Sequence, residues 1–113
     1  MRQLYFKPDT TDTYEFIMTN DKVRDLIVNH IEENYPHDTD KILLADGFEE
    51  AFVGVVESFG LAPRACYDYN KCIQILMRPS DMEYEDAVEY FEFNVEQCFV
   101  GEHTPAFIKQ IQI

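Results

Sequence analysis

Apolar residues recur at helical spacing in three stretches of this chain and run in short clusters elsewhere. Val23, Leu26, Ile27, His30 and Ile31 fall at i, i+3, i+4, i+7 and i+8. That spacing puts them on one face of a helix. Thr19 or Asn20 reads as its N-cap, and Pro36 stops it near Tyr35. His30 sits within the apolar stripe and reads as a packed, hydrogen-bonded core residue rather than a ligand. A second helix is expected from Tyr69 to Met77, capped by Asp68, burying Cys72, Ile73, Leu76 and Met77 and ended by Pro79. A third follows Ser80-Asp81-Met82-Glu83, which has the spacing of a capping box. Tyr84, Ala87, Val88, Phe91, Val95 and Cys98 then recur at helical spacing, so residues 82 to 98 are expected to form one continuous helix. Gly101 is its stop, with Pro105 just beyond.

The short clusters read as strands. They are Gln3 to Phe6, Tyr14 to Met18, Ile42 to Ala45, Ala51 to Val56, Ala65 to Tyr67 and Phe107 to Ile113. Asp46-Gly47 punctuates the third. Gly54 within the fourth suggests a close backbone contact; because that run lacks clean alternation, a short helix is its alternative. Gly60 and Pro63 bracket a loop. Lys109, Gln110 and Gln112 interrupt the last run and place it at a sheet edge. The pattern predicts a single α+β domain over 1–113, with about three helices on one face of a short antiparallel or mixed sheet.

Composition sharpens this picture in three ways. The 113 residues are 46% hydrophobic and 14% aromatic. A chain of this size buries roughly two-thirds of its unfolded surface, so it needs neither metal nor disulfide to fold. Asp and Glu number 22 against 9 Lys and Arg, for a formal charge of −13. That balance disfavours direct contact with nucleic acid and with anionic membranes, and points to a basic protein surface as partner. Cys66, Cys72 and Cys98 are odd in number and form no CxxC pair. Three free thiols in a reducing cytoplasm are expected. The opening MRQLYFKPD lacks the apolar core of a signal peptide, and no apolar run is long enough to span a bilayer.

The segments ADGFEEAFVGV, CYDYNKCIQILM and MEYEDAVEYFEFNVEQCFVGEHTPAFI, in that order, resemble a family of short proteins from tailed bacteriophages and bacterial genomes. The likeness runs from Leu44 to the end of the chain and leaves the first 40 residues outside it. It implies a phage or bacterial origin. The family has no established activity, so the resemblance implies no mechanism, cofactor or site.

Candidate chemistry centres on carboxylates. No Lys or Arg lies between Arg78 and Lys109, a stretch holding Asp81, Glu83, Glu85, Asp86, Glu89, Glu92, Glu96 and Glu102. Glu85, Glu89, Glu92 and Glu96 fall at i, i+4, i+7 and i+11, one stripe opposite Phe91. Like charges at this spacing cost a few tenths of a kcal/mol per pair. The stripe therefore suggests a surface offered to a basic groove, as a nucleic-acid mimic offers one; its structural alternative is a solvated helix face. Asp46, Glu49 and Glu50 form a second cluster that Glu102 and His103 could join, giving a carboxylate–histidine site able to act on a substrate or hold a divalent cation. No metal motif of defined spacing is present. A thiol nucleophile with His37 or His103 as base is a weaker candidate, because Cys72 and Cys98 fall on apolar helix faces.

The leading expectation is a non-catalytic, phage-encoded acidic protein that engages a host or competing protein without a cofactor. In its strongest form it inhibits a nucleic-acid-binding complex through Glu85, Glu89, Glu92 and Glu96. The alternatives are a small enzyme using Asp46, Glu49, Glu102 and His103, with or without a divalent metal, and a homo-oligomeric accessory protein.

Overall fold

In a computed structural model the described residues are 3–5, 14–80, 82–97 and 100–111, with side-chain surroundings for 21–78, 82–97 and 100–111. Phe6, Asp81 and Cys98 lie outside them. The elements follow in the order β1 (Gln3–Tyr5), α1 (Tyr14–Asn34), β2 (Leu44–Asp46), a 3-10 turn (Glu49–Ala51), β3 (Phe52–Val56), β4 (Arg64–Asp68), α2 (Tyr69–Ser80), α3 (Tyr84–Phe91), a π-helical turn (Glu92–Glu96) and β5 (Ala106–Ile108). This is the expected α+β architecture, three helices with a three-stranded mixed sheet.

Strands β3, β4 and β5 form that sheet in this order. β3 and β4 are antiparallel neighbours, while β4 and β5 run parallel. β5 is thus an edge strand, as its polar interruptions predict. β1 and β2 form a separate parallel pair, with Leu4 opposite Ala45. The two units are joined by a side chain: the Ala45 N–H donates to the buried Tyr67 hydroxyl oxygen at 2.8 Å.

The core is organised by rings. Register places Phe52 opposite Tyr67, and Tyr67 opposite Phe107, so three aromatic residues form a row across the sheet. Their centroids are 5.7 and 5.9 Å apart. Phe91 of α3 stands edge-on over this row, 5.0 Å from Phe107, and also meets Tyr69 at 5.4 Å and Phe48 at 5.8 Å. Edge-to-face contacts set the ring hydrogens of one residue against the electron-rich face of the next. Cys72, Ile73, Ile75 and Leu76 bring α2 into the same core. The Lys71 N–H donates to the Asp68 carboxylate at 3.0 Å, which is the expected cap.

Several local expectations need correction. Tyr14 to Met18 is not a strand but the first part of α1, so Thr19 and Asn20 lie inside the helix instead of capping it. A five-residue apolar run has no periodicity of its own, and the neighbouring helix extends through it cooperatively. His30 is exposed rather than packed in the core, because among the described side chains of α1 only Ile27 and Ile31 turn fully inward; Leu26, beside His30, is 69% exposed. Helix α2 continues past Pro79 to Ser80. Ser80 therefore ends one helix instead of capping the next, and the N-cap of α3 is Glu83, which makes no side-chain capping bond. Tyr84 is 55% exposed, since α3 reaches the core only from Ala87 onward. Gly54 makes no close approach: a Cβ there would meet nothing within 4 Å. It stands instead at the irregularity in register between Phe52 and Gly54, a bulge in the β3 edge.

Candidate functional site

The acidic segment is carried by α3 and the π-turn that extends it. The turn is closed by the Gln97 N–H donating to the Glu92 carbonyl at 3.2 Å, one residue wider than an α-helical bond. Such widening re-aims side chains, and it divides the carboxylate stripe. Glu85, Asp86, Glu89 and Glu96 remain exposed. Glu92 turns toward the core margin and accepts the Tyr69 hydroxyl at 2.6 Å. Burial, then this bond to the carboxylate, push the Tyr69 phenol well above its ordinary range. Lys109 lies over the same ring, 4.5 Å from its centroid, so the β5 edge brings a cation to the core side of the acidic helix.

The outward face of α3 is not purely acidic. Asp86 and Glu89 line a groove of about 420 Å³ together with Met82, Tyr90, Phe93 and Asn94. Phe93 is 75% exposed. A reading based on charge spacing passes over these aromatic and apolar members, although Phe93 lies two positions from the inward Phe91, about 200° round the helix, and so turns toward solvent.

The second cluster divides differently. The 3-10 turn after β2 buries Glu49, and the Gly47 N–H reaches both of its carboxyl oxygens at 3.2 and 3.0 Å. Gly47 holds a φ of 99°, a left-handed conformation that suits glycine. Burial pushes the Glu49 carboxyl up to about 7; bonds from its own backbone and from Gly47 oppose the rise, and a hydrogen bond with Asp46 adds to it. Asp46 and Glu49 thus act on one another. They are not joined by His103, whose Nε2 lies 3.5 Å from Asp38 Oδ1. Glu102 is exposed, and Glu50 accepts Arg78 at 3.3 Å. Glu49 does line a groove of about 410 Å³ with Phe52, Leu26, His30, Glu50 and Lys71. His30 and Lys71 were missed as members of this site because they come from α1 and α2, far apart in the chain.

Among the described residues, no group of three or more His, Cys, Asp and Glu converges so as to hold a metal ion. Cys66 and Cys72 are free and buried, and burial raises both thiols, which suppresses the thiolate a nucleophile needs. No described helix is long and apolar enough to cross a membrane.

No protein-family model matches this chain, and neither does any curated protein or solved structure.

Proposed function

We propose that the protein is a non-catalytic binding module that docks on a basic protein surface through the outward face of α3. In its strongest form the target is the nucleic-acid-binding groove of a host or competing protein, which the module blocks. The observation that carries this reading is the exposure of Phe93 in a groove that it lines together with Asp86 and Glu89. A ring three-quarters exposed adds little to the core. Aromatic anchors ringed by polar groups are what interfaces use to concentrate binding energy. The carboxylates around it, in a chain of charge −13, would speed encounter with a basic partner.

The test starts from a partner recovered by affinity purification from the cell that makes the protein. Its affinity for the wild type is compared with that for Phe93→Ser and for the triple change Glu85→Lys, Glu89→Lys, Glu96→Lys. Glu92 is left in place because Tyr69 holds it. Both variants should fold, since the altered groups are exposed. Both should bind at least tenfold more weakly, a loss of about 1.4 kcal/mol, and wild-type affinity should fall with added salt. Undiminished binding by both variants would remove the reading.

A second reading has one observation in its favour. A carboxyl with a pKa of about 7, bonded to Asp46 and facing a groove beside His30 and Lys71, is suited to general acid–base chemistry. An activity lost in Glu49→Gln but kept in the α3 variants would favour it.

A further inference from the structure

A third groove, of about 500 Å³, opens between the C-terminal end of α1 and the turn linking β3 to β4. Its charged lining residues are Asp38 and Glu57; neither Lys nor Arg lines it. The last turn of α1 contains no basic residue; Asn34 donates to the His30 carbonyl there at 2.9 Å, but no cation of the helix faces its negative pole. The Tyr35 hydroxyl is bonded to Glu57, and this bond, followed by burial and the carboxylate's charge, raises the phenol. Behind Asp38 stands His103, nine-tenths buried, with its Nε2 pointing at Oδ1 from 3.5 Å and making no hydrogen bond. The Asp38 side chain keeps 31% of its surface open.

The apolar rim is as pronounced as the charge. The Leu61 N–H donates to the Ser58 carbonyl at 3.0 Å and closes a tight turn, with Gly60 at φ 80°. That positive φ is what the third position of a type II turn requires. The turn fixes Phe59 fully in solvent and leaves Leu61 72% exposed, both beside Pro63 on the groove wall.

We propose that this groove is a binding site for an arginine side chain flanked by an apolar residue, presented by a partner polypeptide. Two carboxylates from separate elements suit a planar guanidinium, which donates in two directions at once where an ammonium acts as a point charge. The rings of Tyr35 and Phe59 offer it faces to stack on. Phe59 and Leu61 stand exposed on the same groove and would cover the neighbouring apolar residue of a chain, a contact that a free amino acid could not make. The site shares no residue with the α3 groove, so either can fail while the other stands.

The probe is the blocked peptide acetyl-Gly-Arg-Leu-Gly-amide, titrated into the ¹⁵N-labelled full chain. The control replaces Arg by citrulline, its neutral isostere. Expected are amide shifts confined to residues 34–41 and 57–62, absent with citrulline. Glu57→Gln should weaken binding about fivefold, the equivalent of one exposed ion pair of about 1 kcal/mol. Phe59→Ala should weaken it further in combination. Both positions are exposed, so the variants keep the fold; Asp38→Asn adds a second charge test wherever its spectrum stays native. Equal shifts with the citrulline peptide, shifts centred on residues 83–97, or no shifts at all would each overturn the proposal.

Discussion

Helices α1 and α3 use their apolar residues in opposite ways. α1 is 21 residues long, yet among its described side chains only Ile27 and Ile31 are buried. α3 has eight residues, buries Ala87 and Phe91, and hands on to buried Val95. The short helix sits at a junction of four rings, Phe91 with Phe48, Tyr69 and Phe107, while the part of the long one whose side chains are described meets the fold along a narrow seam against the 3-10 turn that carries Glu49. Helix length thus says little about how firmly a segment is held; what counts is how many well-packed partners its inward face finds. The seams also differ in kind. That of α3 is apolar, whereas that of α1 runs beside a carboxyl whose charge is costly to bury.

The largest expected effect lies in the α3 seam. Phe91→Ala should destabilise the protein by about 3–5 kcal/mol in denaturant unfolding, because the cavity would face Phe48, Tyr69 and Phe107 together. A loss under 1 kcal/mol would mean that the hub is not where the structure places it.

The α1 seam should instead respond to pH. Glu49 rises from 4.5 to about 7 on folding. A raised carboxyl favours the folded state fully below the unfolded value, and that advantage is lost as pH climbs through about 7. Glu49→Gln keeps an acceptor for Gly47 and a donor for Asp46 without the charge. At pH 8 it should be more stable than wild type by about 2–3 kcal/mol, with the gap closing by pH 5. A gap independent of pH would show that the seam carries no titrating charge. The smallest effect is expected on the outer side of α1: Leu26→Gln should change stability by no more than about 0.5 kcal/mol. A larger loss would show that α1 is covered more fully than its exposure indicates.

Legibility in the sequence follows the same division. Helix α2 could be read almost whole, because Asp68 caps it and Cys72, Ile73 and Leu76 follow a strict period. The inward side of α3 was clear from Ala87 to Val95, but Tyr84, which shares its spacing, is exposed. The start of α1 was not, because an uncapped apolar run satisfies a strand and a helix alike until its neighbours decide. Ser80 met the capping pattern, but that pattern cannot reveal that the preceding helix still holds the residue. For the sites, the carboxylates were visible as composition and spacing. The exposure of Phe59 and Leu61 was not, since a tight turn sets it; that of Phe93 follows from its spacing to Phe91 but is hidden among the charges. The pairing of His103 with Asp38 joins positions 65 apart in sequence, a relation that no local pattern encodes.

The parallel pairing of β4 with β5 bears on how the chain comes together. Everything from Tyr69 to Pro105, including α2 and α3, lies between the two strands, so their hydrogen bonds close a long loop. Contacts of this span are entropically late, and they slow a domain beyond what its helices alone would set. Phe107 is the ring that links Phe91 to Tyr67. On a ribosome, where the N-terminal part emerges first, the aromatic row stays open on one side until the strand bearing Phe107 leaves the exit tunnel. Completion of the core therefore waits for that strand to emerge, and the interval before it is when Tyr67 and Phe91 are most available to a chaperone or to another chain.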